Sequence, residues 1–276
     1  MSSSPLTSGG PPAAASNSIS VADAIQMALS ITSYFETSKV MNYQGIVGDF
    51  DGMGASFGII QWNFGKGTLG RLLKQMLQAD EAAFAACFGP NTDYDTLTSA
   101  ILSTDIPGQM SWVRSQQSAN AASWKAPFIA LGSNDKFNQI QYQNATGDYP
   151  GTAVLVIANL RAINSALMAN VEARSYAAIY DLCVQQGGIH VAMNAIRAKV
   201  AQTPPTSQLD LMKIAVQQRA LTALPASIAD CMSRRMGILT GQAYPYPDAN
   251  GKQVIRDNPP GFKLVADTGT KFVEGL

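Results

Sequence analysis

The stretch Ile31-Thr32-Ser33-Tyr34-Phe35-Glu36-Thr37-Ser38, followed by Gly48-Asp49-Phe50-Asp51-Gly52-Met53-Gly54-Ala55-Ser56-Phe57-Gly58-Ile59-Ile60-Gln61-Trp62-Asn63, decides how the chain reads. It joins a carboxylate at a predicted helix end, Glu36, to acidic residues in a glycine-rich turn, and the turn runs into an apolar, strand-like segment. Two carboxyls held by separate rigid elements across a cleft are what glycosidic bond cleavage needs. One protonates the leaving oxygen and the other ionises a water or attacks directly. Glycan hydrolysis is the leading expectation from these residues.

Upstream, Ser20 can cap a helix whose Asp23 falls three positions later, an acidic variant of the capping box. Val21, Ile25, Leu29, Thr32 and Phe35 recur at helical spacing, so an apolar stripe runs to the residue before Glu36. Glu36 then sits at the edge of a buried face, partly desolvated yet open to a cleft, the setting a general acid needs. An isolated Glu in such a place also reads as an ordinary solvated residue of an amphipathic helix. Residues 1 to about 19, rich in Ser, Pro, Gly and Ala, cannot bury enough apolar area to offset ordering, and flexibility is expected there.

Downstream, glycines 48, 52 and 54 mark a sharp turn or bulge where backbone can approach a ligand closely. The run from Phe57 to Trp62 reads as a buried strand. Gln61, Trp62 and Asn63 then suit a sugar, with a ring to stack on its face and amides for its hydroxyls, though Trp62 reads equally as core. The string Gly65-Lys66-Gly67-Thr68-Leu69-Gly70 formally matches a dinucleotide fingerprint, but no strand-helix-strand unit surrounds it. Thr68 instead reads as the cap of a helix carrying Leu69, Leu72, Leu73 and Met76. Beyond it the pattern is mostly helical: a helix from Ala79 to Phe88 stopped by Gly89-Pro90, a turn at Asp148-Tyr149-Pro150-Gly151, a helix stopped by Gly187-Gly188, a break near Pro225, and a Gly-, Pro- and Tyr-rich tail of 36 residues wrapping the surface.

Bulk properties exclude several classes. At 276 residues, with 46% apolar content, the chain can bury one sizeable core, and residues 20–276 read as one domain. Its 19 basic and 19 acidic residues leave no net field to attract nucleic acid. Three scattered cysteines, Cys87, Cys183 and Cys231, form no disulfide framework, and the only histidine, His190, offers neither a base for a thiol nor a partner for a metal. Chemistry without metal or cofactor is expected. No apolar run is long enough to span a membrane, and the N-terminus lacks the charged and apolar regions of a secretory signal.

Three segments also carry a resemblance. Ile31 to Glu36, Asp51 to Ile60, and Ala178-Ile179-Tyr180-Asp181-Leu182-Cys183-Val184-Gln185-Gln186-Gly187-Gly188 resemble the family-46 chitosanases of the lysozyme-like superfamily, as does Arg234-Arg235 with Gly241. The resemblance implies a mainly α (α+β) fold: a lysozyme-like, two-lobed helical arrangement with a small β-hairpin and a groove between the lobes. It further implies Glu36 as general acid, Asp51 as general base, Ser56 as the hydroxyl that positions the attacking water, and inversion at the anomeric carbon. An inverting pair stands roughly 6.5–9.5 Å apart. Arg234 or Arg235 would ion-pair with a carboxylate beneath the site or belong to a solvated helix face.

The departures from that family bear on substrate. A chitosanase groove is expected to carry several carboxylates for its polycationic polymer, whereas this segment offers chiefly Asp49 beside the catalytic pair, and Asp49 is also the rival candidate for the base. The run Gln61 to Leu69 is uncharged apart from Lys66 and looks like versions of this fold in bacterial peptidoglycan-related proteins. The expected activity is a lysozyme-type cleavage of β-1,4 linkages in peptidoglycan, as an antibacterial effector exported by a non-classical secretion apparatus into a target periplasm, or as a phage-like lysin. A cognate immunity protein and a secretion carrier are the expected partners. Two other readings stay open: a chitosanase proper, and a non-catalytic glycan-binding or structural module.

Overall fold

Ser20 does cap the first helix: its Oγ accepts the Asp23 N–H at 3.1 Å and donates to the Asp23 carboxylate at 2.7 Å. The helix, α1 (Val21–Thr37), stops where Ser38 turns left-handed at φ +57° and returns its N–H to the Tyr34 carbonyl. Leu29, Thr32 and Phe35 of the expected stripe are buried together with Ala24, Ala28 and Ile31, whereas Val21 at the free end is exposed.

The computed structural model describes residues 17–89 and 93–276. Within them the chain is mainly helical with three small sheets. After β1 (Ser18–Ile19) and α1 come β2 (Ile46–Val47), β3 (Ser56–Phe57) and β4 (Trp62–Asn63), an antiparallel meander that pairs Val47 with Ser56 and Ser56 with Asn63. Six helices follow: α2 (Thr68–Ala79), α3 (Glu81–Phe88), α4 (Tyr94–Leu102), α5 (Ile106–Ala119), α6 (Ala126–Gly132) and the long α7 (Asp135–Arg161). Then come α8 (Ala173–Gln186), a short 3-10 turn at His190–Ala192, α9 (Met193–Gln202), α10 (Gln208–Ala220) and α11 (Pro225–Thr240). The chain closes with the hairpin β5 (Tyr246–Pro247) and β6 (Gln253–Val254), α12 (Pro259–Thr268) and β7 (Phe272–Val273).

One contiguous apolar core runs from Ala24 to Val273. α1 packs on α8, and α8 in turn on α7 and α11, so α1 lies beside the central helices of the molecule. A second centre of packing is aromatic: Phe128 meets Phe57, Phe88, Trp112 and Trp124 edge-on, with centroids 5.2–6.3 Å apart. Such edge-to-face pairs add to simple area burial. They anchor the β2–β3–β4 sheet to α3, α5 and α6.

Four expectations change. Phe57 to Trp62 is not one strand but two short ones around a tight turn, because Gly58 at φ +85° and Gln61 at φ +55° reverse the chain. Phe57, Ile59, Ile60 and Trp62 are all buried by helices on either side, which is why the run lacks alternation. The turn expected at Asp148–Gly151 lies inside α7, where burial of Ala153, Val156 and Ile157 beyond Pro150 keeps the helix going despite the missing N–H. Thr68 is the first residue of α2 rather than its cap. Gly67, left-handed at φ +70°, takes the cap, and the Thr68 Oγ1 binds the Asn63 backbone instead.

The fourth change concerns the two ends. The tail does more than wrap the surface: Asn258 caps α12 through its Oδ1 and, fully buried, donates its Nδ2 to the Ile31 carbonyl of α1 at 3.0 Å. Phe262 of α12 meets Phe35 edge-on at 6.3 Å. Ser18 and Ile19, within the segment expected to be flexible, pair in parallel with Phe272 and Val273 because the tail supplies the partner strand. Residues 1–16 of that segment, and the Pro90 stop after α3, lie outside the described residues. No helix among the described residues is long and apolar enough to cross a membrane.

Candidate active site

A cleft of about 410 Å³ opens between the sheet with its glycine turn on one side and α1, α8 and α11 on the other. Glu36, Asp51, Ser56, Gln61, Trp62 and Asn63 all line it. Six of the seven residues singled out in the sequence are thus brought together; Asp49 is not.

Glu36 reaches the cleft from the last turn of α1. Its Oε1 pairs with Nη2 of Arg234 on α11 at 2.7 Å. Arg234 is fully buried, and the same nitrogen lies 2.6 Å from Oδ1 of Asp181 on α8, which also accepts from Arg234 Nε at 2.7 Å and from the Thr32 hydroxyl at 3.2 Å. Burial by itself would lower the Arg234 pKa, but Asp181 and then Glu36 outweigh it and push it up, so the guanidinium stays charged. It also stacks over the Phe35 ring at 5.1 Å. Arg235 faces the other Asp181 oxygen at 3.5 Å and donates to the side-chain carbonyls of Gln185 and Gln186. Both arginines therefore sit around one buried carboxylate beneath the site, and neither lies on a solvated face. Arg234 extends the network to Glu36.

Asp51 is held differently. It is exposed on the tip of the turn, and its Oδ1 accepts the Met53 N–H at 3.1 Å. The turn is fastened from behind by Asp49, whose carboxylate accepts the Gly54 N–H at 2.6 Å and Arg114 Nε at 2.6 Å. Hydrogen bonding from Arg114, then from the Gly54 amide, holds the Asp49 carboxyl below its ordinary range. Asp49 is a structural clamp here, not the substrate contact expected of it. Gly54 sits at φ +82°, a left-handed conformation that disfavours any side chain, and a Cβ there would press on Met110 Sδ at 2.7 Å and Val113 at 3.0 Å on α5.

Two of the expected sugar contacts, both in the cleft lining, also serve the fold. Trp62 is only 2% exposed, so its ring is part of the core and no pyranose face can stack on it. Gln61 directs its amide Nε2 to the carbonyls of Gly45 and Gly58, at 3.0 Å each, which fixes the sheet's turn. Phe50 takes the exposed aromatic place at the cleft: it is 79% exposed beside Asp51. Ser56, on β3 opposite Asn63, is a buried residue of the cleft lining.

Sequence reading missed several lining residues. Arg256 pairs with Asp230 of α11, and its other nitrogen donates to the Phe35 carbonyl, so the tail secures the end of α1 beside Glu36. Tyr149, inside α7, has its phenol pushed up to about 12 by burial and then by Asp148, and remains protonated. Pro150 gave a turn signal that concealed it. Burial likewise raises Cys183 to about 12 and moves Cys87 and Cys231 upward, so all three thiols stay protonated at neutral pH. His190 is exposed and lies outside the cleft lining. Among the described residues no three His, Cys, Asp or Glu side chains are grouped to hold a metal ion. No protein-family model matches the chain, and no curated protein does.

Proposed function

We propose that the chain is a lysozyme-type glycoside hydrolase acting on β-1,4-linked bacterial cell-wall glycan, with Glu36 as general acid and Asp51 as general base. The observation that carries this reading is the shared cleft: Glu36 enters from a helix end, Asp51 from a glycine turn, and Ser56 lines the space with them. A helical body with a small antiparallel sheet flanking that cleft supports a lysozyme-like fold.

In the reaction, a water deprotonated by Asp51 and oriented by Ser56 bonds to the anomeric carbon as the glycosidic bond breaks. The leaving oxygen takes the proton from Glu36, and the product is inverted. Arg234 orients the Glu36 carboxyl at 2.7 Å, and Asp181, which also faces Arg235, lies 2.6 Å from the same guanidinium nitrogen. Phe50, exposed on the lip, offers its face to a sugar ring.

The test is incubation with purified sacculi and identification of the fragments by mass. New reducing disaccharide ends are expected, as opposed to freed peptides. Glu36→Gln should lower turnover about 10³-fold with binding retained, since general acid catalysis contributes roughly 10²–10⁴-fold. Intact sacculi after long incubation would sink the activity, and an Asp49→Asn variant more impaired than Asp51→Asn would sink the assignment of the base.

A further inference from the structure

The cleft's charges answer one another with one remainder on each side. Of its carboxyl groups, Glu36, the proton donor, is held by Arg234 at 2.7 Å, which Asp181 also faces at 2.6 Å, and Asp230 is paired with Arg256. Asp51 alone has no ion pair and accepts only the Met53 N–H. Of its cations, Arg234 and Arg256 are committed to those pairs. Lys66 is left over: it is exposed on the turn between β4 and α2, lines the cleft, and its ammonium has no ion pair among the described residues. Its backbone is fixed there, because the Lys66 N–H donates to Asn63 Oδ1 at 2.9 Å and the Gly67 N–H to the Phe64 carbonyl at 2.7 Å.

A polymer bearing an ammonium on every ring would find only the catalytic Asp51 to answer it and would meet Lys66 as a like charge. Building on the hydrolase reading above, we infer that Lys66 is a specificity contact for a carboxylate carried by the glycan. The substrate is then an acidic glycan and not a polycationic glucosamine polymer. In cell-wall glycan that carboxylate is either the lactyl group of a peptide-free muramic acid or a carboxylate of the stem peptide. Both present the same anion to the ammonium.

The experiment measures binding by the full chain carrying Glu36→Gln, so that turnover does not intervene. The probes are peptide-free cell-wall glycan strands, strands with peptide stems, and chitin and chitosan oligosaccharides of equal length. The expected result is preference for the carboxylate-bearing strands. Adding Lys66→Gln should weaken that binding about fivefold, the scale of a solvent-accessible ion pair, and leave chitin binding unchanged. Lys66→Arg should restore it. If peptide-free strands show the Lys66 effect, the lactyl carboxylate is the anion, and if only stemmed strands show it, the peptide supplies it. Equal binding of acidic and neutral strands with or without Lys66, or tighter binding of chitosan, overturns the Lys66 assignment and leaves the hydrolase reading standing. Failure to bind any glycan overturns both.

Discussion

The two walls of the cleft hold their carboxylates by opposite means. Glu36 is backed by a buried chain of charges, Arg234, Asp181 and Arg235, on two core helices, whereas Asp51 stands on an exposed turn fastened by one clamp, Asp49 with Arg114. Inside the core, two guanidiniums around one carboxylate are costly to desolvate and strongly coupled, so the geometry is either fully made or lost. At the surface, a clamp in contact with water contributes little and yields gradually. Under the proposed hydrolase reading, the proton donor is thus fixed by the buried wall and the base is carried on the exposed turn.

The largest test removes the centre of the rigid wall. Asp181→Ala leaves Arg234 and Arg235 buried without a counter-ion and should destabilise the fold by about 3–5 kcal/mol. Chemical denaturation measures it, and a cost below about 1 kcal/mol would show the network to be dispensable. Asp51→Asn should lower turnover by roughly 10²–10³-fold with the unfolding midpoint unchanged, because the side chain is exposed and accepts a single backbone bond. Loss of stability instead would make Asp51 part of the turn's framework.

The clamp gives a smaller, pH-dependent effect. The folded-state pKa of Asp49 lies below its unfolded value, so its contribution is complete above that unfolded value, about pH 4, and fades as pH falls further. Asp49→Asn should therefore cost about 1 kcal/mol at neutral pH, and the gap between variant and parent should narrow below about pH 4. Stability curves that stay parallel from pH 7 to 3 would contradict the clamp. Smallest of all, Phe50→Ala should raise KM about fivefold while kcat and stability hold, the scale of one aromatic contact. An unchanged KM would remove Phe50 from the sugar's path.

Legibility in the sequence followed the same division. The start of α1 was readable because Ser20 and Asp23 are three residues apart and answer each other within one turn. The stop after Gln186 was readable from Gly187, which takes the left-handed conformation that favours glycine. Trp62 was not assignable, because whether an aromatic after a glycine turn stacks on a ligand or enters the core depends on helices distant in the chain. Asp49 looked like a substrate contact only because Arg114, its partner, lies 65 positions away. α12 carries a local signal of its own: Asn258 followed by Pro259 and Pro260 is a cap followed by the residue suited to a first helical turn.

By itself the sequence determined the helix end that presents Glu36, the glycine turn that presents Asp51, the absence of net charge, and the mainly helical class. Caps, left-handed turns and apolar spacing act over a few residues and are written in consecutive letters. Only the tertiary structure decided that Arg234 and Asp181 stand behind Glu36, that Trp62 is core and Phe50 exposed, that Asp49 is a clamp, and that Lys66 is left without a counter-charge. Those outcomes depend on which side chains meet across the core, and a single chain's letters carry no record of which distant charges will be desolvated together.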